Sequence, residues 1–146
     1  MSTSGIPSLF TFETPSPVPC RLSHVYDGDS MRATFQFRGE PTCVRIRISG
    51  IDTPELRAND PATKTLARKA RQVARSVLCD DVHQVTLGKF DKYGRVLADI
   101  TLSDGRSYGE FMCTSGLAVA YDGGTKPVAA MQQLVDAATA NSGLNE

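Results

Sequence analysis

Acidic residues cluster in two short segments of the chain, each placed where an extended segment ends. One segment is Asp-Gly-Asp at positions 27–29, and the other is Asp-Thr-Pro-Glu at positions 52–55. Carboxylate and carbonyl oxygens are the ligands that hard cations such as Ca²⁺ prefer, so loops of this kind suit a calcium site. Asp-Gly-Asp is also a frequent turn sequence, and by itself it predicts only a turn.

Two arginines accompany these acidic segments. Arg47 lies five residues before Asp52, on the face of a predicted strand opposite to Ile46 and Ile48. Arg95 follows Tyr-Gly in a turn-rich segment. An arginine near strand carboxylates can simply form an ion pair with them, and one basic residue in a turn identifies no chemistry. These positions gain meaning only in combination with other motifs.

Hydrophobic periodicity predicts the elements that would position these residues. Pro61, preceded by Asp60 as a cap, opens a long helix that ends near Cys79. Alternating apolar and polar residues predict three strands in an antiparallel meander before it, over residues 20–26, 31–37 and 43–51. After it, strands are predicted over residues 83–87 and 96–102, and helices over residues 108–114 and from Pro127 onward. This order fits a small closed or nearly closed β-barrel with helices packed outside it.

Length and composition indicate one folded domain. The chain has 146 residues, of which 40% are hydrophobic and 22% charged, as is typical of soluble globular proteins. Residues 1–19 contain four prolines and no periodicity, which predicts an extended or mobile arm before a domain at residues 20–146. No apolar run reaches the roughly 18 to 20 residues of a membrane span, and the first residues lack the pattern of a signal peptide. We therefore expect a cytoplasmic protein with no membrane partner, or a secreted one if a leader was removed.

Charge is balanced overall but not locally. The 16 basic and 16 acidic residues give a formal net charge of zero, so any polyanion must be bound locally. Residues 61–95 carry eight basic and three acidic residues, and four of these cations recur at helical spacing. We call them the basic stripe: Lys64, Arg68, Arg71 and Arg75. A solvated helix face is the simpler interpretation of such a stripe, and an extension of a nucleic-acid track is the other.

The cysteines and histidines indicate no metal or catalytic site. The four cysteines are more than twenty residues apart, with no Cys-x-x-Cys pair, which argues against zinc. Without an export signal, reduced thiols are expected. His24 and His83 are isolated on predicted strands, and we interpret both as structural.

Four motifs in a fixed order resemble the staphylococcal nuclease (thermonuclease) family. They are Val-Tyr-Asp-Gly-Asp-Ser at 25–30, Arg-Ile-Ser-Gly-Ile-Asp-Thr-Pro-Glu at 47–55, Asp-Lys-Tyr-Gly-Arg at 91–95 and Gly-Leu-Ala-Val-Ala-Tyr at 116–121. Several motifs in order are far more specific than any one of them. The resemblance, which covers roughly residues 20–121, implies an α+β fold: a five-stranded OB-fold barrel with about three packed helices. It further implies a monomeric, calcium-dependent endonuclease that hydrolyses phosphodiester bonds of single-stranded or unpaired DNA and RNA.

The resemblance assigns a metal site and a catalytic carboxylate. Asp29 and Asp52 match the family's metal carboxylates, and Thr53 matches the residue that lends its backbone carbonyl to Ca²⁺. Glu55 matches the carboxylate that positions or deprotonates the attacking water.

The resemblance also assigns the groups that hold the substrate. Arg47 and Arg95 match the two arginines that clamp the phosphate. Lys92 and Tyr93 match contacts to the nucleotide phosphate, and Tyr121 matches the tyrosine beside the base pocket. Attack on a phosphodiester builds negative charge on its non-bridging oxygens, so two guanidiniums and a divalent cation stabilise the transition state more than the ground state.

A few positions depart from the family pattern. Ser30 replaces the usual threonine but keeps a hydroxyl, the loop at residues 56–60 is shorter, and only Tyr121 stands where the prototype has two nearby tyrosines. The alternative interpretation is a non-catalytic nucleic-acid or protein-binding module, since this fold also occurs in inactive copies and an OB barrel can bind single strands without cutting them. Inactive copies usually lose charged site residues. Here every such position is filled, which favours the enzyme.

Overall fold

A computed structural model of the chain describes residues 11–14 and 16–144, the last three of them by their backbone. Its strands are β1 (Val18–Asp27), β2 (Ser30–Phe37), β3 (Glu40–Ile48), β4 (Ile51–Asp52), β5 (Val82–Phe90), β6 (Val96–Thr101) and β7 (Val119–Ala120). Its helices are α1 (Pro61–Leu78), α2 (Tyr108–Thr114) and α3 (Val128–Leu144). In the described part of the chain, no helix is both long and apolar enough to cross a membrane.

Five strands close into a barrel in the order β1-β2-β3-β6-β5. The pairs β1–β2, β2–β3, β1–β5 and β5–β6 are antiparallel, while β3 pairs with β6 in parallel. Alternate side chains such as Leu22, Met31, Ile46, Val85 and Ile100 fill the interior and are fully buried. The predicted five-stranded barrel with three helices is therefore confirmed.

A bulge in β1 changes which side chains enter the core. Simple alternation predicts that Leu22, His24 and Tyr26 share a face, but the pairing of β1 with β2 shifts register between Ser23 and Asp27. His24 adopts a left-handed backbone conformation with φ of 48°, so Val25 is buried and Tyr26 is 41% exposed. The bulge inserts extra residues into β1, and this reverses the inward and outward positions beyond it.

The third strand begins and ends three residues earlier than its sequence pattern predicts. The alternation extends to Ile51, but β3 ends at Ile48 and the chain turns through Gly50, whose φ of 85° is readily adopted only by glycine. Ile51 and Asp52 then pair with Ala120 and Val119 in a separate two-stranded sheet. This small sheet brings Asp52 beside the segment that ends at Tyr121.

Helix α1 begins as predicted, at Pro61 after the cap Asp60, whose carboxylate accepts a hydrogen bond of 3.0 Å from the Thr63 backbone nitrogen. Its buried face contains leucine and alanine residues, namely Leu66, Ala67, Ala70, Ala74 and Leu78. Because alanine is small, the helix lies close to the end of β1. A Cβ atom added to Gly28 would lie 3.3 Å from the Ala70 Cβ.

The segment before β1 contacts the end of the barrel that is remote from residues 27–30. The Phe12 ring packs edge-on against Phe35 and Phe37, with centroids 5.6 and 4.9 Å away, and the Thr14 nitrogen donates to the Leu87 carbonyl. The first strand begins at Val18, two residues before the predicted domain boundary. Residues 1–10 and Pro15 of the predicted arm lie outside the described residues.

Candidate active site

Arg47 lies at the centre of a group of buried charged residues at one end of the barrel. Its Nη1 atom is 3.3 Å from Asp29 Oδ2 and its Nη2 atom is 3.5 Å from Asp52 Oδ1. Nη1 also donates a hydrogen bond of 2.7 Å to the carbonyl of Ile48. Arg47 is only 7% exposed, so the two carboxylates fix its guanidinium in one orientation.

The turn between β1 and β2 is held by Asp27, a residue whose role the sequence did not indicate beyond the turn itself. Asp27 Oδ1 accepts hydrogen bonds from the Asp29 nitrogen at 3.1 Å and from Ser30 Oγ at 2.8 Å. Ser30 is the cross-strand partner of Arg47. The hydroxyl that replaces the family's threonine thus orders the turn that presents Asp29 to the arginine.

Thr53 links this turn to the loop after β4. Its backbone nitrogen donates a hydrogen bond of 3.0 Å to Asp29 Oδ2. A Cβ atom added to Gly28 would lie 2.8 Å from Thr53 Cγ2, so only glycine allows the turn and the loop to approach this closely. The buried Tyr108 of α2, which the sequence analysis did not identify, donates from its hydroxyl to the Gly28 carbonyl at 2.6 Å.

Burial of acidic groups at this turn changes their protonation. Burial raises the pKa of Asp29 from 3.8 to about 7, and the neighbouring Asp27 charge adds to this effect. Arg47 and the hydrogen bond from Thr53 act in the opposite direction without cancelling it. Burial, with Asp29 and Asp27 nearby, also raises the pKa of Tyr108, which therefore stays a neutral hydrogen-bond donor.

A lysine that the sequence analysis missed completes the cation set. Lys126 Nζ, in the loop between β7 and α3, is 2.9 Å from Asp52 Oδ1. Lys126 and Arg47 both approach the Tyr121 ring, at 5.1 and 5.9 Å from its centroid. The Tyr121 hydroxyl donates to the Gly124 carbonyl at 2.8 Å, so the ring is fixed above the charged group. Lys126 belongs to no motif in the sequence, and only the return of the chain through β7 brings it to Asp52.

The predicted residues Lys92, Tyr93 and Arg95 form a second group, organised by Asp91. Asp91 Oδ1 accepts from the backbone nitrogens of Tyr93 and Arg95, and its Oδ2 lies 2.8 Å from Arg95 Nε. Burial acts to raise the pKa of Asp91, but the hydrogen bonds and charge of Arg95, with the Tyr93 hydrogen bond, outweigh it and lower the pKa. Lys92 and Arg95 flank the Tyr93 ring at 5.3 and 5.5 Å, and Tyr93 is 65% exposed.

Strand pairing places the second group next to the first. Val96 of β6 pairs with Ile46 of β3. Arg95 directly precedes Val96 and Arg47 directly follows Ile46, so the two arginines flank this pair of residues. Arg45, on the same face of β3 as Arg47, donates from Nη2 to the Tyr93 carbonyl at 3.2 Å. Each arginine is held by its own aspartates, Arg47 by Asp29 and Asp52 and Arg95 by Asp91. The two predicted arginines therefore lie in adjacent groups.

Glu55 follows the buried Pro54 and is exposed. Its carbonyl accepts a hydrogen bond of 3.2 Å from the Ala58 nitrogen, which turns the loop. Among the described residues, its carboxylate has no hydrogen bond or ion pair, so it is accessible to water.

The donor set at the first group is chemically suited to Ca²⁺. Asp29, Asp52 and the Thr53 carbonyl are all hard oxygen donors. The described residues contain no group of three or more His, Cys, Asp or Glu side chains placed to hold a metal ion. Burial, with the charge of Asp27, raises the pKa of Asp29 despite the nearby Arg47, so its ionised form is disfavoured without further positive charge. A divalent cation would supply the missing positive charge.

Comparison with known proteins yields one family and two curated relatives. The family described as staphylococcal nuclease homologue matches residues 45–142. A protein of Escherichia coli named as an uncharacterized endonuclease is 30% identical over 117 residues, which cover 78% of this chain and 70% of the relative. A protein of the same name from Escherichia coli O157:H7 matches with the same identity and coverage.

Proposed function

The chain belongs to the staphylococcal nuclease homologue family, and we propose that it is a calcium-dependent endonuclease acting on single-stranded or unpaired DNA and RNA. The match covers about two thirds of the chain, and two relatives that carry the name endonuclease support hydrolysis of nucleic acids. Dependence on Ca²⁺ and the roles of individual residues are parts of this proposal.

The contact of one buried arginine with two carboxylates is the observation that carries the proposal. The carboxylates of Asp29 and Asp52 hold Arg47 in place, while Tyr121 covers it on one side. One carboxylate would be enough to form a salt bridge with Arg47. Burying a second one costs stability, above all for Asp29, which lies beside the like charge of Asp27. Such a cost is typical of a site that is organised for binding a cation and a phosphate.

Each residue of the site has a role in this mechanism. Asp29, Asp52 and the Thr53 carbonyl would hold Ca²⁺, which when bound supplies positive charge beside the scissile phosphate. Arg47 donates hydrogen bonds to a non-bridging oxygen of that phosphate, and its orientation is set before substrate arrives, so no reorganisation is needed as charge develops. Glu55, whose carboxylate is exposed, accepts a proton from the attacking water. The water oxygen bonds to phosphorus while the bond from phosphorus to the leaving nucleotide's oxygen breaks, and that oxygen takes up a proton from solvent.

The second group acts on the same substrate. Arg95 donates to the phosphate from the side of β6, released from Asp91 or shared with it. Lys92 and the exposed Tyr93 contact the neighbouring phosphate, and Tyr121 lies against the base or sugar. Lys126 shares Asp52 with Arg47 and so adjusts the charge of this metal carboxylate.

Cleavage of a fluorescent single-stranded oligonucleotide tests the proposal. Products should form with Ca²⁺ and not with the chelator EGTA, and Glu55→Gln should lose at least about a hundredfold in kcat while still binding the oligonucleotide. Glu40→Gln, which removes an exposed carboxylate at the far hairpin, is the matched control and should cleave normally. Tight binding of the oligonucleotide in Ca²⁺ without any cleavage would instead identify a non-catalytic binding module.

A further inference from the structure

A row of two arginines with a tyrosine at each end crosses the outer face of the barrel beside the candidate active site. We call it the outer row, and it consists of Tyr26, Arg32, Arg45 and Tyr93. Arg32 and Arg45 are direct cross-strand partners on β2 and β3. The β1 bulge turns Tyr26 outward at one end of the row, and the turn before β6 presents Tyr93 at the other.

Direct contacts join the members of the outer row in two pairs. Arg32 Nε donates a hydrogen bond of 2.8 Å to the Tyr26 hydroxyl, and its guanidinium lies 6.0 Å from the centre of that ring. Arg45 Nη2 donates to the Tyr93 carbonyl at 3.2 Å. The cross-strand pairing of Arg32 with Arg45 places these two contacting pairs side by side.

The two arginines of the outer row carry uncompensated charge. Among the described residues, neither Arg32 nor Arg45 forms an ion pair with a carboxylate, whereas Arg47 and Arg95 both do. Like charges directly opposite each other on neighbouring strands destabilise a sheet. In a protein of zero net charge, this local excess of positive charge is a cost that a bound polyanion would remove.

The two tyrosines are exposed, and their rings are accessible to a ligand. Tyr26 is 41% exposed and Tyr93 is 65% exposed. Exposed aromatic rings beside cations are the combination that binds single strands without sequence preference, because bases stack on the rings while the cations contact phosphates.

The outer row runs parallel to the pair formed by Ser30 and Arg47. Arg32 is two residues from Ser30 and Arg45 is two residues from Arg47, a separation of about 7 Å along each strand. A strand whose scissile phosphate contacts Arg47 would therefore reach the outer row with its neighbouring nucleotides.

We propose that the outer row binds the nucleotides next to the scissile phosphate, with Arg32 and Arg45 on their phosphates and the rings of Tyr26 and Tyr93 stacked on their bases, while the Tyr93 hydroxyl makes the phosphate contact proposed above. The proposal rests on the proposed function only for the position of the scissile phosphate. Binding through the outer row requires neither Ca²⁺ nor cleavage, so the two proposals fail separately.

The affinity of a fluorescent 12-nucleotide single strand, measured in EGTA over a range of KCl concentrations, tests the outer row. Arg32→Gln/Arg45→Gln removes two phosphate contacts, so the slope of log affinity against log salt should decrease by about 1.4. The affinity itself should fall about tenfold at low salt. Arg38→Gln/Arg106→Gln makes the same change of net charge at two exposed arginines outside the row and should leave both values near those of the wild type.

Two further variants separate charge, stacking and folding. Arg32→Lys/Arg45→Lys removes the same two guanidiniums but keeps both charges, and it should retain the salt slope. If the glutamine pair is unstable, a reduced salt slope in the lysine pair would overturn the proposal instead. Tyr26→Ala should weaken binding about tenfold through lost stacking, whereas Tyr26→Phe, which keeps the ring and loses only the bond to Arg32, should bind nearly as well as the wild type.

Cleavage kinetics give an independent result if the protein is a nuclease. The glutamine pair should raise KM for a 12-nucleotide substrate several-fold, leave kcat unchanged and have little effect on a dinucleotide. An unchanged salt slope in the glutamine pair, or equal losses in the glutamine pair and the control pair, would overturn the proposal. If the glutamine pair shows the expected loss of affinity and salt slope but the wild type never cleaves, the proposed function is overturned and the proposal for the outer row stands.

Discussion

Asp29→Asn replaces one oxygen of a buried carboxylate by an amide nitrogen, and we expect it to stabilise the metal-free protein. The remaining oxygen can still accept the hydrogen bond from the Thr53 nitrogen, and the new amide can donate to Asp27. The variant should lose Ca²⁺ binding and cleavage. Stability and function would then be opposed at a single residue.

The magnitude follows from the protonation of Asp29. Burial raises its pKa from 3.8 to about 7, so the folded protein binds this proton more tightly than the unfolded chain does. The free energy of unfolding must therefore fall as pH rises from about 4 to about 7, and the full cost is present above pH 7. Each pKa unit corresponds to about 1.4 kcal/mol, which gives about 4 kcal/mol as an upper value. The attraction of Arg47 is already contained in this pKa, and asparagine replaces the protonated carboxyl imperfectly, so we expect a net gain of about 2–4 kcal/mol at pH 8.

Urea unfolding in EDTA, followed by circular dichroism because the chain has no tryptophan, measures this difference. The variant should be the more stable protein at pH 8, and the two curves should converge near pH 4. Adding Ca²⁺ should stabilise only the wild type, by about 2.7 kcal/mol at a hundredfold excess over Kd.

Asp52→Asn is the matched control, because Asp52 accepts from both Arg47 and Lys126. Its replacement leaves two cations without a shared partner and should reduce stability by about 1–2 kcal/mol. An Asp29→Asn protein that is less stable than the wild type at pH 8 without metal would refute the argument that this carboxylate is buried at a cost.

Three further expectations concern the site and its surroundings. Arg47→Lys and Arg95→Lys each keep the charge but lose the planar pair of donors, so kcat for a single-stranded oligonucleotide should fall at least about a hundredfold while the far-ultraviolet circular dichroism is preserved. A normal kcat in either variant would remove that arginine from the mechanism. Gly28→Ala places a methyl group 2.8 Å from a neighbouring side chain, and we expect a loss of about 1–3 kcal/mol by urea unfolding together with weaker Ca²⁺ binding by calorimetry; unchanged values would mean that the loop adjusts freely. Lys64→Glu/Arg68→Glu, which reverses two charges of the basic stripe, should change kcat/KM for a short oligonucleotide less than about threefold in 0.15 M salt, because exposed charges are screened beyond about 8 Å. A larger loss would place the basic stripe on the path of the substrate.

The local elements and the types of chemical group were predictable from the sequence. Asp60 and Pro61 mark the start of α1 because a cap and a proline act on the backbone within one helical turn. The alternation along β2 and β3 identifies the buried positions because a strand repeats every two residues. The ordered motifs placed Arg47, Asp29 and their neighbours in one family.

The elements that were predicted incorrectly fail at single backbone positions. The bulge at His24 reverses the inward face of β1, although histidine carries no signal for a left-handed conformation. The break at Gly50 ends β3 early, although the apolar alternation continues to Ile51. The position of the bulge and the end of β3 both depend on how each strand pairs with its neighbour. The alternation within one strand carries no information about that neighbour.

The site itself was decided by the tertiary structure. Lys126 contacts Asp52 across 74 positions of the chain, and Tyr108 donates to Gly28 across 80. The parallel pairing of β3 with β6 brings Arg45 to Tyr93, which assembles the outer row from three distant segments. Periodicity and motifs report interactions within a few residues, whereas these contacts exist only because the barrel closes, and closure is set by the packing of the whole core.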